Sequence, residues 1–394
     1  MTKYIVLALL LLGCAPKNDN AHSEKKNQKD SLVTDSLTKI AEKPEIKIND
    51  SLNAVAELIA GIYPPGKMFS GTTENQHYKN FSDDFSKRWN NFDSTRMQKL
   101  LEFRNKELMV EIKPEPNLFY PFSGPDILYA NLFFPQADKT VMIGLEPVGT
   151  LPEFNALKGD SLKRYYDKLN SSLHAILNFS FFRTEAMSKD LKNGEVDGTI
   201  HLLFLFLSRT GNAIVSAKPV TVDSLGNKIY LASFETLKTS NLKSKGVEIL
   251  YKTAENKLKE LNYYSLNVVD VALDSNPGFK TYLRSFKNFN TYLKGASYLL
   301  HKTYFSFVRE IILKGSSTIV QDDSGIALRY FKQDDANWSY KLFGEYTKPI
   351  SLFKNAYQKD LDSLYKHGNS TALGFGIGYN FKDKNSNLMV ARRN

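Results

Sequence analysis

Apolar positions change period several times along the chain, and each change marks an element. Leu52, Val55, Ala56, Leu58 and Ile59 recur at helical spacing behind Asp50 and Ser51, two capping residue types, so a helix is predicted that ends at Tyr63, Pro64, Pro65 and Gly66. A second helical pattern covers 83–108, with Phe85, Trp89, Phe92, Met97, Leu100, Leu101 and Phe103 on its apolar face. Residues 118–145 read strand, turn, helix, strand: the turn holds Ser123, Gly124, Pro125 and Asp126, with Ser123 as cap and Pro125 in the first helical turn. That order is a βαβ unit with a short helix. Residues 162–179 are helical by period. The run 199–207 is apolar without a break and predicts a strand, turning at 209–212 into 213–222 and at 223–227 into 228–234 as an antiparallel meander. Strands are also expected over 246–251, 263–273 and 318–320, two or three short helices over 276–313, and a helix over 352–365. Near the end, Leu373, Phe375, Ile377, Tyr379 and Phe381 alternate with Gly374, Gly376, Gly378 and Asn380, a strand with one bare face against which a helix or a ligand lies. The expected class is α+β: a mixed, largely antiparallel sheet with helices packed on it, in one large body or in two lobes divided near 240–250.

The N-terminal pattern differs from all of this. An apolar run of nine, Tyr4 to Leu12, follows Lys3 and precedes Gly13 and Cys14. A helix needs about 20 residues to span a bilayer, so the run reads as the apolar part of an export signal ending at small residues. Cys14 is the single cysteine of the 394 residues, which excludes an intramolecular disulfide and any site built on two thiolates. Leu11, Leu12, Gly13 and Cys14 resemble a bacterial lipobox. The resemblance implies a signal peptide over 1–13, cleavage before Cys14 and a diacylglycerol on its sulfur, with the lipid bilayer as the first partner. Two or more acyl chains are what a stable anchor requires. Ala15, in place of the aspartate of inner-membrane retention, implies an outer-membrane address facing the periplasm, and the absence of an acidic cluster after it speaks against surface display. Residues 14–49 are Lys, Asn, Asp, Ser and Glu with few apolar positions, a flexible tether of roughly 30 to 35 Å end to end. The globular body is expected over 50–394.

Net charge is +10, from 52 basic and 42 acidic residues. The basic residues are scattered, several of them in the tether, so nucleic acid is not an expected partner. Gly159, Asp160, Ser161 and Leu162 spell the short signature of the Gly-Asp-Ser-Leu esterases, but no strand precedes them and Asp362 and His367 do not have that family's late spacing. They read as a helix cap. Ser123 stands at a strand-to-helix turn, where a hydroxyl and free N–H groups are exposed. Gln321, Asp322, Asp323, Ser324 and Gly325 form a second polar knot after a strand, suited to a tight turn and also to acid–base work. No His-Glu-x-x-His or close histidine pair occurs, and no calcium-loop spacing, so no metal and no cofactor is expected.

The phrases 120–126, 298–301 and 321–325, with the strand at Gly374, resemble those of an uncharacterised group of bacterial lipoproteins and secreted proteins. The resemblance brings no activity with it. Two readings stand. The first is a lipid-anchored, non-catalytic binding protein of the cell envelope, with Ser123, Gly124, Asp126, Gln321, Asp322 and Asp323 on the rim of a pocket for a small molecule or an envelope protein. The alternative is a periplasmic serine hydrolase with Ser123 or Ser324 as nucleophile, His301 as base and Asp322 or Asp323 orienting it.

Overall fold

A computed structural model describes residues 46–179, 196–334, 337–381 and 386–394. The expected signal peptide, Cys14 and nearly all of the tether lie outside them. Eleven strands form one sheet: β1 Asn117–Pro121, β2 Lys139–Gly144, β3 Ala213–Val222, β4 Lys228–Tyr230, β5 Lys245–Lys252, β6 Leu258–Ser265, β7 Phe289–Leu293, β8 Ser316–Gln321, β9 Trp338–Gly344, β10 Ser370–Thr371 and β11 Asn387–Arg393. Their order across the sheet is β10-β9-β11-β8-β7-β1-β2-β6-β5-β3-β4. The mixed sheet with helices packed on it is therefore as expected. β5 pairs with β3 and β6 inside this sheet, so the stretch near 240–250 divides nothing, and 46–394 is one body.

The antiparallel return expected from 213–222 to 228–234 is found as β3-β4, and antiparallel pairing builds the two wings, β6-β5-β3-β4 and β8-β11-β9. Between them β8-β7-β1-β2-β6 run parallel. From β1 the chain steps to β2 and later β6 on one side, then returns so that β7 pairs with the other side of β1 and β8 lies beyond it. The direction of winding reverses between β1 and β7, and in open sheets of this kind the crevice outside the strand ends at that point is where ligands bind.

Side chains alternate across the sheet, as a period of two requires. Leu118, Tyr120, Met142, Tyr292 and Val320 face a layer containing the helices Asp50–Ile59, Gln76–Phe92, Ile127–Phe133, Asp160–Phe179 and Ile200–Arg209. Phe119, Val141, Ile143, Phe289 and Ile319 face the other layer, with Pro277–Ser285, Ser306–Gly315 and Lys359–His367.

Three expectations are corrected. The run 199–207 is a helix, Ile200–Arg209, and its first eight residues are all buried. A helix covered on every side loses the polar stripe that would betray its period, and its stability comes from burial worth roughly 1.5 to 3 kcal/mol per large side chain. Within 276–313 stands β7, a fully buried parallel strand, which likewise shows no alternation. The glycine-alternating 373–381 is not a strand. Only Ser370–Thr371 pairs with β9, and the segment then folds back so that a Cβ on Gly376 would meet the Phe381 carbonyl and one on Gly378 (φ +62°) the Asp322 carboxylate. Its glycines allow close approach of this chain's own groups.

Candidate functional site

The carboxyl ends of β1, β2, β6 and β7 open into a cleft of about 820 Å³ at the reversal point. Two loops build its floor. After β1 the chain turns through Phe122 and Gly124 in left-handed conformation, and Asp126 then caps the helix Ile127–Phe133 by accepting the Tyr129 N–H at 3.3 Å. After β7 come Lys294, Gly295, Ala296, Ser297 and Tyr298, the last two also left-handed. Three of the five non-glycine residues with positive φ among the described residues therefore sit in these two loops. Strain of that kind persists only where surroundings enforce it.

Here the enforcing groups are Asp322 and Ser324 behind the wall and Tyr379 in the wall itself. Asp322 accepts the Gly295 N–H at 2.9 Å, Ser324 Oγ accepts the Ala296 N–H at 2.8 Å, and the Tyr379 hydroxyl donates to the Gly295 carbonyl at 2.8 Å. Ser324 in turn donates to the Asp322 carboxylate. The Asp-Asp-Ser turn thus positions the β7 loop and does not line the cleft. Asp323 faces away, accepting from the Tyr298 hydroxyl and from Asn387 Nδ2, and Gln321 locks its own turn through both backbone groups of Ile326. Burial raises both aspartates above the usual carboxylate range, and Asp322 pushes Asp323 up further.

At the floor, Lys294 Nζ meets Asp126 Oδ2 at 2.6 Å, both side chains buried. The ammonium lies 3.4 Å from the centre of the Tyr129 ring, a cation–π contact, and makes no hydrogen bond besides the ion contact. Tyr120 donates its hydroxyl proton to Asp126 at 2.8 Å. Burial lowers the Lys294 ammonium to about 8, with Asp126 holding it up, and burial also raises Asp126 against the pull of Lys294. Arg96, in a π-helical turn over Asp93–Met97, donates to the Tyr129 hydroxyl at 3.0 Å and to the Gly376 carbonyl, which ties the folded-back glycine segment to the same cluster.

Opposite this pair, just beyond β2, Glu146 lines the cleft at 2% exposure, and its Oε1 has no hydrogen-bond partner. Most of the remaining wall is apolar, with Phe122, Leu266, Val268, Leu299, Phe305 and Phe353, interrupted by Asn267 and Ser297. At the mouth Leu145 and Leu352 are 60% and 77% exposed.

Of the expected rim, Ser123, Gly124 and Asp126 line the cleft, whereas Gln321, Asp322 and Asp323 stand one layer behind it. The Ser123 hydroxyl has backbone carbonyls as acceptors, Gly124 at 2.8 Å and Ile143 at 3.3 Å. No hydrogen bond joins His301 to Ser123 or Ser324. His301 is buried edge-on against the Tyr298 ring with Nε2 unpartnered, and burial, aided by Arg329, lowers it to about 4. Ser161, in the first turn of the helix Asp160–Phe179, exchanges hydrogen bonds with the backbone of Lys158 before the helix, which closes the turn leading into it and caps none of the helix's own N–H groups. Lys294, Glu146 and Tyr129 were not foreseen. No protein-family model matches the chain, nor does any curated protein or solved structure.

Proposed function

We propose that this chain is a lipid-anchored protein of the bacterial cell envelope that binds a small organic molecule in the cleft between β1 and β7 and performs no chemistry on it. The observation that carries the binding reading is the position of the cleft: it lies at the reversal of strand order, walled by apolar side chains over a neutralised ion pair. The two serines offered as nucleophiles have their hydroxyls in hydrogen bonds to backbone carbonyls and to Asp322, with no histidine as base. Titration with the neutral dye Nile red tests the reading. Saturable one-to-one binding is expected, weakened about tenfold or more by Leu266→Trp, which fills the cleft from its wall. Uptake that does not saturate, or that the variant leaves unchanged, refutes it.

The anchor rests on the lipobox at Leu11 to Cys14. Cys14→Ser should leave the precursor unacylated and move the protein to the soluble fraction, and globomycin should block cleavage of the wild type. Unchanged membrane retention and mass in both experiments would dispose of lipidation.

A further inference from the structure

Among the described residues, three side chains of the charged types line the cleft: Asp126, Lys294 and Glu146. Asp126 and Lys294 cancel one another in direct contact. What remains is one carboxylate, Glu146, buried in a cleft of a chain whose own net charge is +10. Its position is built. Glu146 follows β2 directly behind Gly144, and a Cβ on Gly144 would fall 2.7 Å from Glu146 Oε2 and 2.5 Å from the Tyr263 hydroxyl, so the bare glycine keeps open the space into which the carboxylate folds. The Tyr263 hydroxyl donates to the Glu146 backbone carbonyl at 2.8 Å and fixes that residue's main chain at the strand end. The side chain is left with an acceptor oxygen, Oε1, that no group among the described residues satisfies. A buried acceptor without a donor is costly, and a buried charge without a counter-charge more so. The same cleft presents the rings of Phe122, Phe305, Phe353 and Tyr379, whose faces attract cations and not anions.

We propose that the molecule bound here is an organic cation, an apolar body bearing a protonated amine whose N–H groups donate to Glu146. The inference rests on the cleft being a binding site and adds the chemical class of its occupant. The ion pair at Lys294 then acts as a neutral floor, the one ammonium that lines the cleft among the described residues being already taken by Asp126. An anionic ligand would meet Glu146 as a like charge and would need Lys294 released from its partner.

Three probes of one shape decide: 3-phenylpropan-1-amine, 3-phenylpropan-1-ol and 3-phenylpropanoate, each titrated at pH 7 by calorimetry and by displacement of Nile red from the wild-type protein. The amine should bind about tenfold tighter than the alcohol or better, and the carboxylate weakest of the three. Glu146→Gln should bring the amine down to the affinity of the alcohol, and Glu146→Asp, which keeps the charge, should retain a preference for the amine. Equal binding of amine and alcohol, or tightest binding of the carboxylate, overturns the proposal while the cleft remains a binding site. Failure of Nile red itself to bind overturns both. The comparison of the three probes on the unaltered protein needs no variant to fold.

Discussion

Lys294→Met should cost the fold about 3 to 4 kcal/mol, because it strands a buried carboxylate. The upper limit has a simple origin. Asp126 can escape its unpaired charge by taking a proton, and protonating a carboxyl of ordinary pKa 3.8 at pH 7 costs about 4 kcal/mol. Asp126→Asn poses the mirror problem: the stranded Lys294 ammonium, already lowered to about 8 by burial, would give up its proton at a cost of the same size. Asparagine keeps Oδ1 for the Tyr129 N–H, and its amide nitrogen, in place of Oδ2, can donate to the Tyr120 hydroxyl, so the cap itself survives. The double variant, Asp126→Asn with Lys294→Met, should therefore recover most of the loss, since a buried pair often does little better than a neutral replacement of similar volume. Denaturant midpoints at unchanged slope measure all three. A loss under about 1 kcal/mol for Lys294→Met would mean that water reaches the pair.

Between pH 6.5 and about 4 the protein should lose about 3 kcal/mol at His201. His201 Nε2 accepts the Asp197 N–H at 3.3 Å and Nδ1 lies 3.0 Å from the Tyr165 hydroxyl, an arrangement that suits a neutral ring with its proton on Nδ1. Burial lowers the ring to about 4, although Asp197 pulls the other way. The unfolded chain takes up the proton near 6.5 and the folded one only near 4, so the contribution is whole above 6.5 and gone at 4. His301, lowered to the same value, adds a second loss in the same window. Asp126, Asp322 and Asp323, all raised by burial, act in the opposite sense as pH falls, so the wild-type curve mixes both. The difference between wild type and His201→Gln isolates the histidine, because the aspartates are common to both. Unfolding free energies at pH 7 and pH 4 should differ less in the variant by about 3 kcal/mol; parallel curves would show that the ring is already solvated.

Where a segment has one wet face or a capping residue, its sequence was readable. The unit from β1 to β2, the turn at Ser123 to Asp126 and the strands β3 and β5 are of this kind, whereas the strand expected over 263–273 begins five residues earlier, as β6, and gives way to a helix at Asp270–Asp274. Segments covered on both sides were not. The first eight residues of the helix Ile200–Arg209 and all five of strand β7 are buried, and periodicity carries no information when every position is buried. The miss at β7 hid Lys294, which becomes conspicuous only as the residue after a parallel strand. Glu146 was within reach, since the preceding strand had been read and the residues beyond its end belonged among the candidates. The Asp-Asp-Ser turn was singled out for the right residues, but its work on Gly295 and Ala296 depends on contacts between loops that no local pattern encodes. The glycines at 376 and 378 mark close approach, with the Phe381 main chain and Asp322 as what approaches in place of a ligand or a helix, whereas nothing among the described residues lies against Gly374.

The reversal of strand order also bears on the time at which the cleft exists. Asp126 and Lys294 are separated by 168 residues, and β1 cannot pair with β7 until all of β2 to β6 has been made. Such a contact is among the most non-local in the chain, and its loop-closure cost falls before any stabilisation from it is gained. A chain that has folded only its first half has the Asp126 side of the floor without its counter-ion and nothing for an occupant to fit. An occupant of the cleft therefore stabilises the finished fold and no intermediate on the way to it, and binding can serve as a readout of completed folding.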